Sequence, residues 1–87
     1  MAKYDKLLTR VLQGTADANI SFEELRHLLK RLGFTERIRG DHYIFTREGV
    51  EEILNLQPKG AQAKPYQVKQ VRTAIVKYRL AGGNNEK

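Results

Sequence analysis

His42 is one of only two histidines in this chain of 87 residues, and it stands in the stretch "RIRGDHYIF". Arg37 and Arg39 precede it, and Tyr43 and Phe45 follow. Together these side chains have the parts for phosphodiester chemistry. An ordinary imidazole can take or give a proton at neutral pH. Arginine forks can hold a phosphate and stabilise the charge that develops on it. In RNA the substrate's own 2′-OH is the nucleophile, so neither a metal nor a protein nucleophile is required. The chain agrees by omission: it has no cysteine, no carboxylate cluster suited to two metal ions, no phosphate-binding glycine loop and no Ser-His-Asp pattern. No metal and no cofactor is expected. The plainer reading is that His42 merely begins a strand. Spacing alone favours that reading, because an exposed histidine is only a statistical pointer to function.

Charge adds a second strand of inference. Sixteen basic residues against ten acidic ones give a net charge of +6. The excess is concentrated, for Lys59 to Arg79 holds Lys59, Lys64, Lys69, Arg72, Lys77 and Arg79 with no acidic residue between them. Such a field favours a polyanionic partner, nucleic acid first and anionic membrane second. Lys64, Lys69 and Arg72 are the candidates for holding an RNA backbone. A solvated, lysine-rich helix face explains the same run. The absence of cysteine removes disulfides and thiolate zinc sites. No run approaches the ~18 apolar residues of a membrane span. The opening Met-Ala-Lys-Tyr-Asp-Lys has no apolar stretch of a secretory signal, so a cytoplasmic location is expected.

The elements that must position these residues follow from periodicity. Tyr4, Leu7, Leu8, Val11 and Leu12 recur at helical spacing before Gly14, which predicts a first helix over 3–13. Ser21-Phe-Glu-Glu24 is a capping box with Ile20 and Leu25 as its hydrophobic staple. It opens a second helix whose buried stripe is Phe22, Leu25, Leu28, Leu29 and Leu32. Gly33 ends that helix, and Phe34 folds back on its last turn. His27 lies off the stripe, as a surface residue. Phe34–Arg39 and His42–Arg47 are predicted strands joined by Gly40-Asp41, a Gly-first pair suited to a type II′ hairpin. That turn pairs Arg39 with His42, Ile38 with Tyr43, Arg37 with Ile44 and Glu36 with Phe45. One face then carries Phe34, Ile38, Tyr43 and Phe45 toward the core, with Glu36 as a misfit. The other turns Arg37, Arg39, His42 and Ile44 to solvent. A third strand is expected over 53–57 and a loop over "PKGAQAK". Pro65 opens a last helix with Val68, Val71, Ile75 and Tyr78 inward and Lys69, Arg72 and Arg79 on another side. The whole is one α+β domain over 1–80, in the order α-α-β-β-β-α, with helices on one face of a three-stranded antiparallel sheet. A disordered tail is expected over 81–87.

"ELRHLLKRLGFTERIRGDHYIF" resembles the HicA family of mRNA interferase toxins. Those proteins carry a helix ending in a Leu-Gly-Phe-like stretch, then arginine, then a Gly-Ser-His-x-x-Phe-like turn and strand. The matching residues are Leu32-Gly33-Phe34, then Arg37 or Arg39, then Gly40-Asp41-His42 and Phe45. "AKPYQVKQVRTAIVKYRL" is similar to the family's last helix, and the likeness covers about residues 20–80. It implies a fold like that of double-stranded-RNA-binding domains and metal-independent endoribonuclease activity with His42 catalytic. It also implies a HicB-type antitoxin protein as partner. Asp41 stands where the family has serine, and "NLQPKG" stands where many relatives carry a Pro-x-His stretch. The helix over 3–13 is an addition to the family domain. A non-catalytic RNA-binding module of the same fold is the alternative.

Overall fold

The computed structural model describes residues 3–80, with side chains from Lys6 onward. The side chain of Tyr4 and the tail over 81–87 lie outside the described residues. Helix α1 (Lys3–Gln13) and helix α2 (Phe22–Arg31) precede strands β1 (Thr35–Arg39), β2 (His42–Arg47) and β3 (Val50–Leu56). A small hairpin of β4 (Pro58–Lys59) and β5 (Gln62–Ala63) then leads into helix α3 (Pro65–Lys77). The sheet is antiparallel in the order β1-β2-β3. This is the expected α+β arrangement.

Local chemistry explains the two elements nearest the site. The Ser21 hydroxyl accepts a hydrogen bond from the Glu24 N–H at 3.3 Å, satisfying one of the orphan donors at the start of α2. Ile20 and Leu25, the staple pair, are both fully buried. At the other end Gly33 takes a φ of 97°, and the Phe34 N–H reaches back to the Leu29 carbonyl at 3.0 Å. That pattern closes the helix and sends the chain into β1.

The β1–β2 register is the one the Gly40-Asp41 turn predicts, with Arg39 opposite His42 and Glu36 opposite Phe45. Gly40 supplies the positive φ, 62°, required of the first central residue. Phe34 and Phe45 are buried among the helices, and Tyr43 is half-buried with its ring edge-on to Phe22 at 4.9 Å. Ile38 departs from the expectation. It shares that face but is 52% exposed, because it lies on an edge strand beside the turn, past the end of the core cluster.

Glu36 is no misfit. Arg26 of α2 reaches its carboxylate through two nitrogens at 2.6 and 2.9 Å, and Lys30 adds a third contact at 3.1 Å. Arg26 also lies over the Tyr43 ring, 4.8 Å from its centre. A forked arginine and a lysine thus satisfy a carboxylate whose side chain is only 8% exposed. Hydrogen bonding to Arg26 holds the Glu36 carboxyl below its ordinary value, against the opposing effect of burial.

Two further stretches differ from the expected layout. The third strand starts at Val50 rather than Ile53, since the turn before it needs only Glu48 and Gly49. Glu52, a charged residue at an inward-phase position between Val50 and Leu54, breaks the apolar alternation that would have revealed it. "PKGAQAK" is partly a hairpin rather than a loop, and it docks on the chain just before α2. The Phe22 N–H donates to the Ala61 carbonyl at 3.0 Å and the Ala63 N–H to the Ile20 carbonyl at 2.9 Å. Strands of two residues are too short to show a period.

Helix α3 buries Val68, Val71 and Ile75 and half-buries Tyr78, as its spacing predicts. In α1, Leu7 and Val11 are buried, whereas Leu12 is 38% exposed. Gln67 of α3, 1% exposed, is the one polar residue buried as a whole among the described residues. With its amide oriented to satisfy both groups, it donates to the Gln57 carbonyl at 3.0 Å and accepts from the Gln57 N–H at 2.9 Å. This clamp fixes the chain where it leaves β3.

Candidate functional site

The face of the sheet opposite the helices presents Arg37, Arg39 and His42, all exposed. Arg39 is the direct cross-strand partner of His42, and Arg37 is the partner of Ile44, one pair further from the turn. Side chains on directly opposed residues start ~4.5–5.5 Å apart, and diagonal neighbours ~7–8 Å. Both guanidinium groups are therefore within reach of one phosphate at His42. Neither arginine side chain makes a hydrogen bond or ion pair with a described residue.

Asn55 was not anticipated. It lies on β3 opposite Ile44, hence diagonal to His42 on the same face. Its Oδ1 lies 3.1 Å from His42 Nδ1. An amide oxygen only accepts, so this hydrogen bond requires the proton on Nδ1, and in the neutral imidazole the lone pair is then on Nε2. The His42 side chain is 50% exposed, and its Nε2 is 3.7 Å from Asp41 Oδ1.

A polar chain continues from Asp41. The Gln57 amide donates to Asp41 Oδ2 at 2.7 Å, and Lys64 Nζ donates to Gln57 Oε1 at 3.4 Å. The Gln57 hydrogen bond is the main cause that holds the Asp41 carboxyl below the usual range, with His42 and Lys64 adding smaller attractions. Asp41 is therefore a fixed negative charge next to the histidine. The Gln67 clamp on the Gln57 backbone keeps the middle of this chain in place. Lys64, directly before Pro65 at the start of α3, is thus tied to the His42 end of the sheet.

The remaining candidates are placed elsewhere. Lys69 is exposed on α3 and lines a groove against β3. Arg72 does not share the open basic side expected of it. Its Nη1 donates to Asp17 at 3.0 Å and to the Val11 carbonyl at 3.1 Å, and its side chain is 19% exposed. That arginine ties α1 and the following turn to α3. His27 is exposed on α2, away from the sheet's open face.

Among the described residues no group of three or more His, Cys, Asp or Glu side chains could hold a metal ion. No helix among them is long and apolar enough to cross a membrane. No family model, curated protein or solved structure matches this chain.

Proposed function

We propose that the protein is a metal-independent endoribonuclease, a toxin of HicA type, with His42 as its general base and acid. The observation that carries this reading is the oriented imidazole. Asn55 holds Nδ1–H, and the two arginines, which have no ion-pair partner among the described residues, share its face. In the cleavage step His42 Nε2 takes the proton of a 2′-OH, the 2′ oxygen attacks the adjacent phosphorus, and the 5′ oxygen leaves. A proton from the imidazolium or from water completes the leaving group. Arg37 and Arg39 bind the scissile phosphate and stabilise its developing charge. The products are a 2′,3′-cyclic phosphate and a 5′-OH. Lys64 binds the neighbouring backbone. The cell compartment that suits this substrate is the cytoplasm, and the partner that would hold such an activity in check is a HicB-type antitoxin.

One observation favours the second reading, an RNA-binding module that does not cut. Asp41 places a carboxylate 3.7 Å from Nε2, where the phosphate has to arrive. Both readings are tested by incubating RNA with wild type, His42→Ala and Asp41→Ser in the presence of EDTA. The nuclease reading expects cyclic-phosphate ends from wild type and a ~10²–10⁴-fold loss in His42→Ala. Wild-type cleavage that His42→Ala leaves untouched refutes the assignment. An inert wild type beside an active Asp41→Ser variant points to a silenced enzyme that still binds RNA.

A further inference from the structure

Large apolar side chains left in solvent near one another mark a surface that something covers. Ile53 on β3 and Tyr66 in the first turn of α3 are 65% and 56% exposed, and both line one groove between strand and helix. Its volume is about 450 Å³, the scale of a small-ligand site. Leu54 and Ala74 add apolar lining, while Lys69 and Gln70 supply the polar groups. Neither Lys69 nor Gln70 makes a side-chain hydrogen bond or ion pair with a described residue.

The other polar groups of the groove are engaged. The Thr73 hydroxyl donates to the Lys69 carbonyl at 2.9 Å. Glu52 is held by Lys77 at 2.8 Å and by the Tyr78 hydroxyl, and these keep its carboxyl down at about 2. Its charge is thus offset by Lys77, and the groove's polar side chains without a partner among the described residues are one cation, Lys69, and one amide, Gln70. An exposed ring, an amide and a lysine side by side match the parts of a nucleotide. Bases stack on aromatic rings whatever their sequence, amides hydrogen-bond base edges, and lysine pairs with phosphate. Of the acid-free basic run of 59–79, Lys69 is the member that lines the groove, while Arg72 is paired with Asp17 and Lys77 with Glu52. A continuous path joins groove and site, because Ile53 and Asn55 alternate onto the same open face and Asn55 touches His42.

We infer that this groove is a binding subsite for a nucleotide of single-stranded RNA, flanking the bond presented to His42. Tyr66 stacks on its base, Gln70 bonds the base edge and Lys69 contacts its phosphate. The subsite rests on the RNA reading of the His42 face, and the two can fail separately.

The test measures binding of a fluorescently labelled, unstructured RNA oligonucleotide of about twelve residues to full-length His42→Ala protein. Tyr66→Ala, Tyr66→Phe and Lys69→Gln are each added to that background, and circular dichroism melts check folding. Tyr66→Ala should weaken binding by roughly 5–150-fold, the range of one lost base stack, while Tyr66→Phe keeps the affinity. Lys69→Gln should reduce the log–log salt slope by about 0.7, and Tyr66→Ala should leave that slope unchanged. Tight RNA binding indifferent to Tyr66 and Lys69 overturns the subsite and leaves the His42 reading standing. Binding that depends on Tyr66, combined with wild-type protein that never cuts, keeps the subsite and removes the nuclease. Failure of the parent protein to bind the oligonucleotide overturns both. Concentration-dependent self-association abolished by Tyr66→Ala assigns the groove to a second copy of the chain and overturns the RNA subsite.

Discussion

Asn55 Oδ1 holds His42 Nδ1 at 3.1 Å across the β2–β3 pairing, which fixes both the tautomer and the tilt of an exposed imidazole. A half-exposed ring without that contact samples several rotamers and both tautomers. In the proposed mechanism Asn55 is a positioning residue, since it would reach the reacting atoms only through His42. Asn55→Ala should keep the fold, because the side chain is exposed. It should lower kcat about tenfold, the effect of one hydrogen bond near ~1.4 kcal/mol, with little change in KM. Asn55→Ser, if its hydroxyl reaches Nδ1, should recover part of the loss. A KM defect with unaltered kcat would instead assign Asn55 to substrate binding.

Arg72 and Lys64 should separate in a salt titration. Lys64 is half-buried at the His42 end with a single long contact to Gln57 Oε1 at 3.4 Å, whereas Arg72 is spent on Asp17 and the Val11 carbonyl. Lys64→Gln should flatten the log–log dependence of RNA affinity on salt by about 0.7. Arg72→Gln should leave the slope alone and cost about 1–3 kcal/mol of stability, the usual range for a lost, largely buried charge-assisted hydrogen bond. Denaturant unfolding reads the second effect. A changed salt slope in folded Arg72→Gln would return this residue to the RNA surface.

The contrast between these two residues shows what a sequence does and does not display. The β1–β2 hairpin was legible because Gly40-Asp41 names its own turn type, and the turn sets the faces of Arg37, Arg39 and His42. The helix stripes were legible because burial repeats with the helical period. Asn55 is hidden because a third strand begun at Ile53 has no turn to tie its register to β2. The Arg47–Val50 pair extended unbroken would set Asn55 opposite His42, and the irregularity between Phe45 and Arg47 shifts it opposite Ile44, diagonal to His42. Arg72 was misplaced because helical spacing gives the side of a helix but not what packs there, and Asp17 is 55 residues away in the chain. Glu36 looked like an error in a core-facing strand, since its partner Arg26 sits on another element. Pairings between distant elements leave no local pattern.

Glu36 gives the protein a defined acid sensitivity. Its folded carboxyl titrates below the ordinary value of 4.5, chiefly because Arg26 donates to it. Depressed folded affinity for protons means that the ionised form favours the native state. The resulting stability is fully present above the unfolded value and is lost as pH falls below about 4.5 and through the folded value. Breaking a largely buried pair by removing one partner costs about 3–5 kcal/mol at most, and Arg26 retains Glu23 at 2.9 Å as a second partner. Glu36→Gln keeps the volume and some hydrogen bonding, so its cost at pH 7 should fall nearer ~1–3 kcal/mol. The decisive reading is the slope. Denaturant unfolding of wild type at a series of pH values should show stability falling steeply below about 4.5, and Glu36→Gln should fall less steeply over that same range. The other depressed carboxylates, Glu52 and Asp41, are surface groups, and solvent screening keeps their share of the slope small. Parallel curves for the two proteins would mean that Glu36 is not what ties α2 to the sheet in acid.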